Sequence, residues 1–280
     1  MAESADRRAD SVDVKEGVPV DWKQAGHAWG ERAADWAYLF EPYALRANQT
    51  LFDRLGVGEG SRLVDIACGS GYAAALAAER GAVVAGVDAS EPPIAIARAR
   101  TPVGDFRVGD MFSLPYPAEN FDVATSFNGI WKGLEAALRE AGRVVRPGGM
   151  VGMTFWGAPK RLGLLPYFMK VVELSPPDHG SATLNQGETG RPGVVESMME
   201  EAGLEFLERD VVEVVNEFPD LDIAARALAA AGPSWPALQA VGESRFVTEL
   251  KEALRNLSAD GVGVRIRSEL GWATARVPDA

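Results

Sequence analysis

The sequence predicts an α/β domain built on a parallel sheet covered on both faces, and three observations carry that prediction. From residue 61 onward, short apolar runs alternate with helical stretches of about ten residues, the pattern of βαβ units. The runs are continuously apolar rather than alternating, as in strands buried on both sides. The first run, Val64-Asp65-Ile66-Ala67-Cys68, stops at Gly69-Ser70-Gly71 and passes at once into the alanine-rich stretch 72–80. A strand that ends in two glycines before a helix leaves bare backbone and helix N–H groups facing a ligand.

Residues 1–17 carry Asp, Glu and Arg without an apolar signal core, and are expected to be a disordered tail on a cytoplasmic protein. Residues 18–58 read as a helical N-terminal cap. Trp22, Trp29, Trp36 and Tyr43 recur every seven residues, which keeps them near one side of a helix. Gly26, Gly30 and Pro42 divide the stretch into two short helices. The rings either cover the core of the next unit or face a ligand. Strands follow at 62–68, 82–88, 106–109 and 121–126, with helices at 72–80 and 92–100; the proline in the first turn of the latter is tolerated. A helix at 134–145 leads through a turn, Arg146-Pro147-Gly148-Gly149, to a fifth strand at 150–156.

The regularity breaks at Gly157. A helix at 164–174, Pro176-Pro177 and a polar loop make up an insertion over 157–190. A helix at 194–202, closed by Gly203, and a strand at 204–215 come next. Residues 220–258 read as helical with a break near 232–236, and 262–277 as extended, with Gly271 expected to interrupt it. The layout is therefore one domain over 59–280, with cap insertions at 157–190 and 215–258.

A formal net charge of −12, with arginines scattered rather than clustered, argues against a nucleic-acid partner. Cys68 is the only cysteine, which excludes an intramolecular disulfide and a Cys-rich metal site, and it reads as a buried packing thiol. No apolar segment approaches the ~20 residues a bilayer span needs. Neither a membrane partner nor a metal is expected, and a homodimer stays open.

The chemistry centres on the glycine loop. Gly69-Ser70-Gly71-Tyr72-Ala73-Ala74 matches G-x-G-x-x-G/A, a weak signal alone. Asp88 ends the second strand, where a carboxylate accepts hydrogen bonds from two ribose hydroxyls. To this point NAD and S-adenosylmethionine fit equally. Asp65 separates them, because a carboxylate beside a pyrophosphate is repulsive whereas an ammonium and a sulfonium are attracted to it. Asp110, in Arg107-Val108-Gly109-Asp110-Met111, stands where it can accept from an adenine amine while the next N–H donates to the ring. Hydride-transfer machinery is missing, since Tyr167 and Lys170 are not at Tyr-x-x-x-Lys spacing.

With these pieces in order, residues 61–156 resemble a class I S-adenosylmethionine-dependent methyltransferase of small-molecule type. The matching segments are VDIACGSG (64–71), AGVDAS (85–90), RVGDMFSLPYPAENFDVATS (107–126) and LREAGRVVRPGGMVGMTFW (138–156). The resemblance implies a Rossmann-like, seven-stranded, mostly parallel sheet whose last strand is antiparallel, 204–215 and 262–277 supplying the final two. It implies S-adenosyl-L-methionine as cofactor and S-adenosyl-L-homocysteine as product. Asp65, Ala67, Gly69 and Gly71 would surround the methionine part, Asp88 the ribose, Ala89 the adenine face, and Asp110 with Met111 the adenine edge. Ser126 and Phe127 would face the sulfonium. The family's usual glycine is replaced by Ala67.

Methyl transfer is an in-line displacement that mainly needs proximity, alignment and exclusion of water. His27 and His179, the only histidines, are the candidates for a general base. Asn128-Gly129-Ile130-Trp131-Lys132 follows the fourth strand and lacks the Asn/Asp-Pro-Pro-Tyr/Phe run used on nucleobase or glutamine amines. Aromatic side chains of the cap segments, with Trp29, Trp36, Asn128, Trp131 and Tyr167 as the substrate-facing candidates, suggest a small, apolar or aromatic acceptor methylated on O, N or C in specialised metabolism. The alternative is a protein that binds the same nucleoside without donating its methyl group, as a cyclase-like or sensing module.

Overall fold

In the computed structural model, which describes residues 22–177, 187–259 and 263–279, the alternation of residues 61–156 becomes β1 (Arg62–Ile66), β2 (Val83–Asp88), β3 (Asp105–Val108), β4 (Phe121–Phe127) and β5 (Val145–Trp156). Their connecting helices are α3 (Tyr72–Glu79), α4 (Glu91–Arg100) and α5 (Glu135–Val144). After them come α6 (Leu165–Leu174), α7 (Val194–Glu201), β6 (Glu205–Phe218), α8 (Leu221–Ala229), α9 (Ser234–Val241), α10 (Glu243–Leu254), β7 (Ser258–Ala259) and β8 (Gly263–Arg276). The strands run in the order β3-β2-β1-β4-β5-β8-β6, and the two-residue β7 pairs with β8 beside that path.

β1 to β5 are mutually parallel, and β8 is antiparallel to both β5 and β6. The expected antiparallel last strand is present, inserted between the two that precede it in space. Strand order reverses between β1 and β4, the place where open α/β sheets leave a crevice at their carboxyl ends. Each face has its own core. Leu63 and Val84 pack on one side with Leu51 and Phe52, and Val64, Ile66 and Val151 on the other with Leu138 and Met198. Both-face burial is why these strands read as unbroken apolar runs.

Three local readings are corrected. Arg146-Pro147-Gly148-Gly149 is not a free turn before a strand but lies within β5 as a bulge. The register with β4 jumps from Phe121↔Val145 to Val123↔Met150, and Gly148 N–H donates to Val277 O at 2.9 Å. Gly271 does not interrupt β8. It pairs with Phe155, whose ring lies where a Cβ would stand, 2.1 Å from its nearest atom. Gly26 does not end a helix. It lies inside α1 (Trp22–Gly30), where a Cβ would come within 2.3 Å of Ala89 O, so the glycine lets α1 approach the backbone after β2.

The N-terminal segment continues from α1 through an irregular helical stretch to α2 (Leu45–Leu55). A π turn at Trp36–Phe40 passes directly into a 3-10 turn at Glu41–Ala44. Residues 1–17 and His179 lie outside the described residues. Among those described, no helix is long and apolar enough to cross a membrane.

Candidate active site

A cleft of about 1610 Å³, counting the space open at its mouth, lies over the carboxyl ends of the strands, between the sheet and the N-terminal and inserted helices. Its floor is the loop after β1. Ala67 and Gly69 both adopt left-handed backbone, at φ 56° and 52°. Gly129, at the foot of the neighbouring loop, is needed because a Cβ there would come within 2.5 Å of Ala67 Cβ. Gly71, at φ 71°, begins α3 and packs where a Cβ would meet Ala97 Cβ at 2.6 Å; it shapes the helix start and does not line the cleft.

Asp88 closes β2 and ties the loop down. Gly69 N–H donates to its Oδ2 at 2.9 Å, and Ser90 N–H to its Oδ1 at 3.0 Å. Burial pushes this carboxyl up to about 6, with the backbone donors opposing. Ala89, Met111 and Phe112 line the cleft beyond it. Asp110 does not: its Oδ1 accepts from Phe112 N–H at 2.8 Å, folding the turn that presents Met111 and Phe112. Asp65 is 1% exposed and accepts from Thr125 Oγ1 at 2.9 Å. Burial lifts its carboxyl to about 8, helped by the charges of Glu41 and Asp88 and opposed by Thr125. Ser126 is buried behind the lining with its hydroxyl unpartnered among the described residues, whereas Phe127 lines the cleft. Cys68 is a buried thiol that desolvation drives well above its ordinary range, so it packs rather than reacts.

The other end is aromatic. Tyr43 stacks on Trp156 at 5.8 Å, and Trp156 meets Phe168 edge-on. Trp29 and Trp36 contact each other edge-on at 4.8 Å, and the Trp29 indole fills the place a Cβ on Gly232 would take. Trp29, Trp36, Asn128, Trp131 and Tyr167 all line the cleft. Asn128, at φ 55°, donates from Nδ2 to Tyr43 Oη at 2.9 Å, and its buried Oδ1 has no partner among the described residues. Burial raises the Tyr43 phenol, so its proton stays on. Tyr167 Oη is bonded to Ser234 Oγ at 3.0 Å. His27 is corrected: it is 61% exposed, stands edge-on to Trp235 and next to Glu31, and lies outside the lining. Among the described residues, no group of His, Cys, Asp or Glu is placed to hold a metal ion.

Sequence reasoning missed Glu41. It lines the cleft from the N-terminal segment and accepts from Ser70 Oγ and from Arg100 Nη1, the latter at 2.8 Å. Burial raises its carboxyl against those donors. No spacing signal announces a trio drawn from residues 41, 70 and 100. The inner end thus carries Glu41, Asp65 and Asp88 over a bare-backbone loop, with an aromatic chamber beside it. Such a cleft can hold a cationic nucleoside next to an apolar molecule.

The chain matches known proteins in the same region. Residues 64–153 match the family model described as "Methyltransferase domain". The nocamycin O-methyltransferase of Saccharothrix syringae is 29% identical over 86% of this chain and 93% of its own length. The first curated relatives are matched over only 38–44% of their lengths. Among solved structures, a putative methyltransferase from Bacillus halodurans superposes with a TM-score of 0.57 at 19% identity, covering 83% of this chain and 99% of that one. The cyclase SpnF superposes at 0.53 and 22% identity, over 84% and 82%. At these identities the structures speak to the fold alone.

Proposed function

We propose that the chain is a class I S-adenosylmethionine-dependent methyltransferase, as its likeness to the methyltransferase domain model and to the nocamycin O-methyltransferase supports, and that it transfers the methyl group of S-adenosyl-L-methionine to a small, largely apolar or aromatic acceptor. The observation that carries this reading is the continuity of one cleft. Asp65, Asp88 and Met111 line it together with Trp36, Tyr43 and Trp156. A cofactor at the first group leaves the second as the wall of whatever lies next to it.

The residues present fit the cofactor. Asp88 stands at the end of β2 with lone pairs left for ribose hydroxyls after its two backbone bonds. Ala67 and Gly69 offer backbone without bulk, Ala89 and Met111 flank the adenine position, and Asp65 supplies negative charge under the loop. Asp110 and Gly71 act through shape, by turning the chain and starting α3, and Ser126 is buried within β4. When bound, the cofactor supplies a methyl group on a positively charged sulfur. The chain's own part is to hold, orient and dry the reactants.

Tyr43 and Asn128 are the polar point in an otherwise aromatic chamber, which suits an acceptor bearing a hydroxyl. The O-methyltransferase relative of comparable length supports oxygen as the methylated atom. The N-terminal segment with the helices of 157–190 and 215–258 serves as the cap. The test is transfer of labelled methyl from S-adenosylmethionine to a panel of hydroxyl-bearing aromatic and polyketide-like compounds. Cofactor binding with no transfer to any of them would instead favour the non-methylating reading.

A further inference from the structure

We propose that Glu41 takes the α-ammonium of the cofactor's methionine end, with Ser70 and Arg100 as positioning residues that aim it; this rests on the cofactor reading above. The carboxylate is held asymmetrically. Its two hydrogen-bond donors among the described residues, Ser70 Oγ and Arg100 Nη1, both bond to Oε2. Oε1 stands 3.5 Å from the position a Cβ on Gly69 would occupy, over the loop whose backbone lies bare. Glu41 and Gly69 line the cleft, and Ser70 and Arg100 stand behind them.

Arg100 has little freedom to turn away. Its Nη2 donates to Ala37 O at 2.8 Å and its Nη1 to Ser70 O at 3.2 Å. The guanidinium also lies over the Tyr38 and Tyr72 rings, at 5.4 and 5.6 Å. The N-terminal segment, the glycine loop and α4 therefore fix one carboxylate oxygen and leave its twin for an occupant.

A second observation says what the occupant brings. Asn48, on α2, lines the same cleft, is 2% exposed, and its Oδ1 has no partner among the described residues. Acceptors lacking donors call for a ligand rich in N–H or O–H. Glu41 and Asp88, with Arg100 bonded to the other oxygen of Glu41, call for positive charge as well. A primary ammonium meets both demands, and a neutral hydroxyl meets only the first.

The experiment compares three ligands that share the nucleoside. S-adenosylmethionine carries ammonium, carboxylate and sulfonium, S-adenosylhomocysteine the ammonium and carboxylate without the sulfonium, and 5′-methylthioadenosine none of the three. Calorimetry on the full chain gives each Kd for the unchanged protein, E41Q and S70A. The expected result is that E41Q weakens the first two alike, by about ten- to a hundredfold, and leaves methylthioadenosine within about twofold. S70A follows the same pattern with a smaller loss, and it decides the matter should E41Q fail to melt cooperatively. Equal weakening of all three ligands would make Glu41 a structural clamp and overturn the proposal. Loss confined to S-adenosylmethionine would move Glu41 to the sulfonium, and no loss would remove it from the site. Failure of the unchanged protein to bind any of the three would overturn the cofactor reading instead.

Discussion

Binding of a cationic nucleoside should release a proton through Asp65. Burial under the loop pushes this carboxyl up to about 8, with Thr125 donating to it in opposition. At pH 6 it is therefore protonated in about 99 of 100 molecules. A ligand that needs the ionised form pays for that deprotonation, at about 1.4 kcal/mol per pH unit below 8. Affinity should then rise by up to about fiftyfold between pH 6 and 8. Below about 6, Asp88 adds a second proton to the linkage. The folded-state value lies far above that of an unfolded aspartate, so folding itself takes up a proton. Ligand-free stability should accordingly fall as pH rises from about 4 to 8. Asp65→Asn removes the Asp65 share of both effects: it raises the melting temperature at pH 8, binds more weakly there, and leaves a flat affinity profile between pH 7 and 8. Titration calorimetry at pH 6, 7 and 8, in buffers of different ionisation enthalpy, measures the affinity and the proton together. An unchanged Kd across that range, with no proton released, would refute the reasoning.

Three substitutions test other parts of the architecture. Asp88→Ala should weaken cofactor binding by about 1–3 kcal/mol, the usual cost of hydrogen bonds to a charged group; unchanged affinity in calorimetry would show that the ribose is held elsewhere. Gly26→Val places side-chain atoms against Ala89 O, where even a Cβ would stand at 2.3 Å. It should lift α1, speed limited proteolysis before residue 31 and lower cofactor affinity, so a protease pattern matching the unchanged protein would count against that docking. Gly271→Val drives a side chain into the Phe155 ring and should cost about 1–3 kcal/mol or more in thermal or denaturant unfolding; a neutral result would mean the two strands separate more easily than they pack.

The glycine loop, Asp65 and Asp88 were legible in the sequence because their geometry is local. A strand, a turn and a helix start follow one another within ten residues, and each residue type has one physical reason to be there. The alternation that gives the sheet was legible for the same reason. Gly26 and Gly271 were misread because a glycine that admits a neighbour looks the same in sequence as one that breaks an element. What distinguishes them is Ala89 in one case and Phe155 in the other, both far along the chain. Glu41 and the Tyr43–Asn128 bond escaped for the same cause, since they join residues 29 and 85 positions apart. The bulge at residues 146–149 hid behind a sequence that suits a turn equally well.

Inserting β8 between β5 and β6 leaves a fourteen-residue strand as one rim of the sheet, against a four-residue strand at the other. So long a row of free backbone groups invites another chain to add itself. The rim answers with charge: Glu205, Glu213 and Glu217 each face an arginine of β8, respectively Arg276, Arg267 and Arg265. An incoming strand would have to lie beside that solvated charge. The sheet can thus grow long enough to carry three helices after β6 without becoming a seed for fibres.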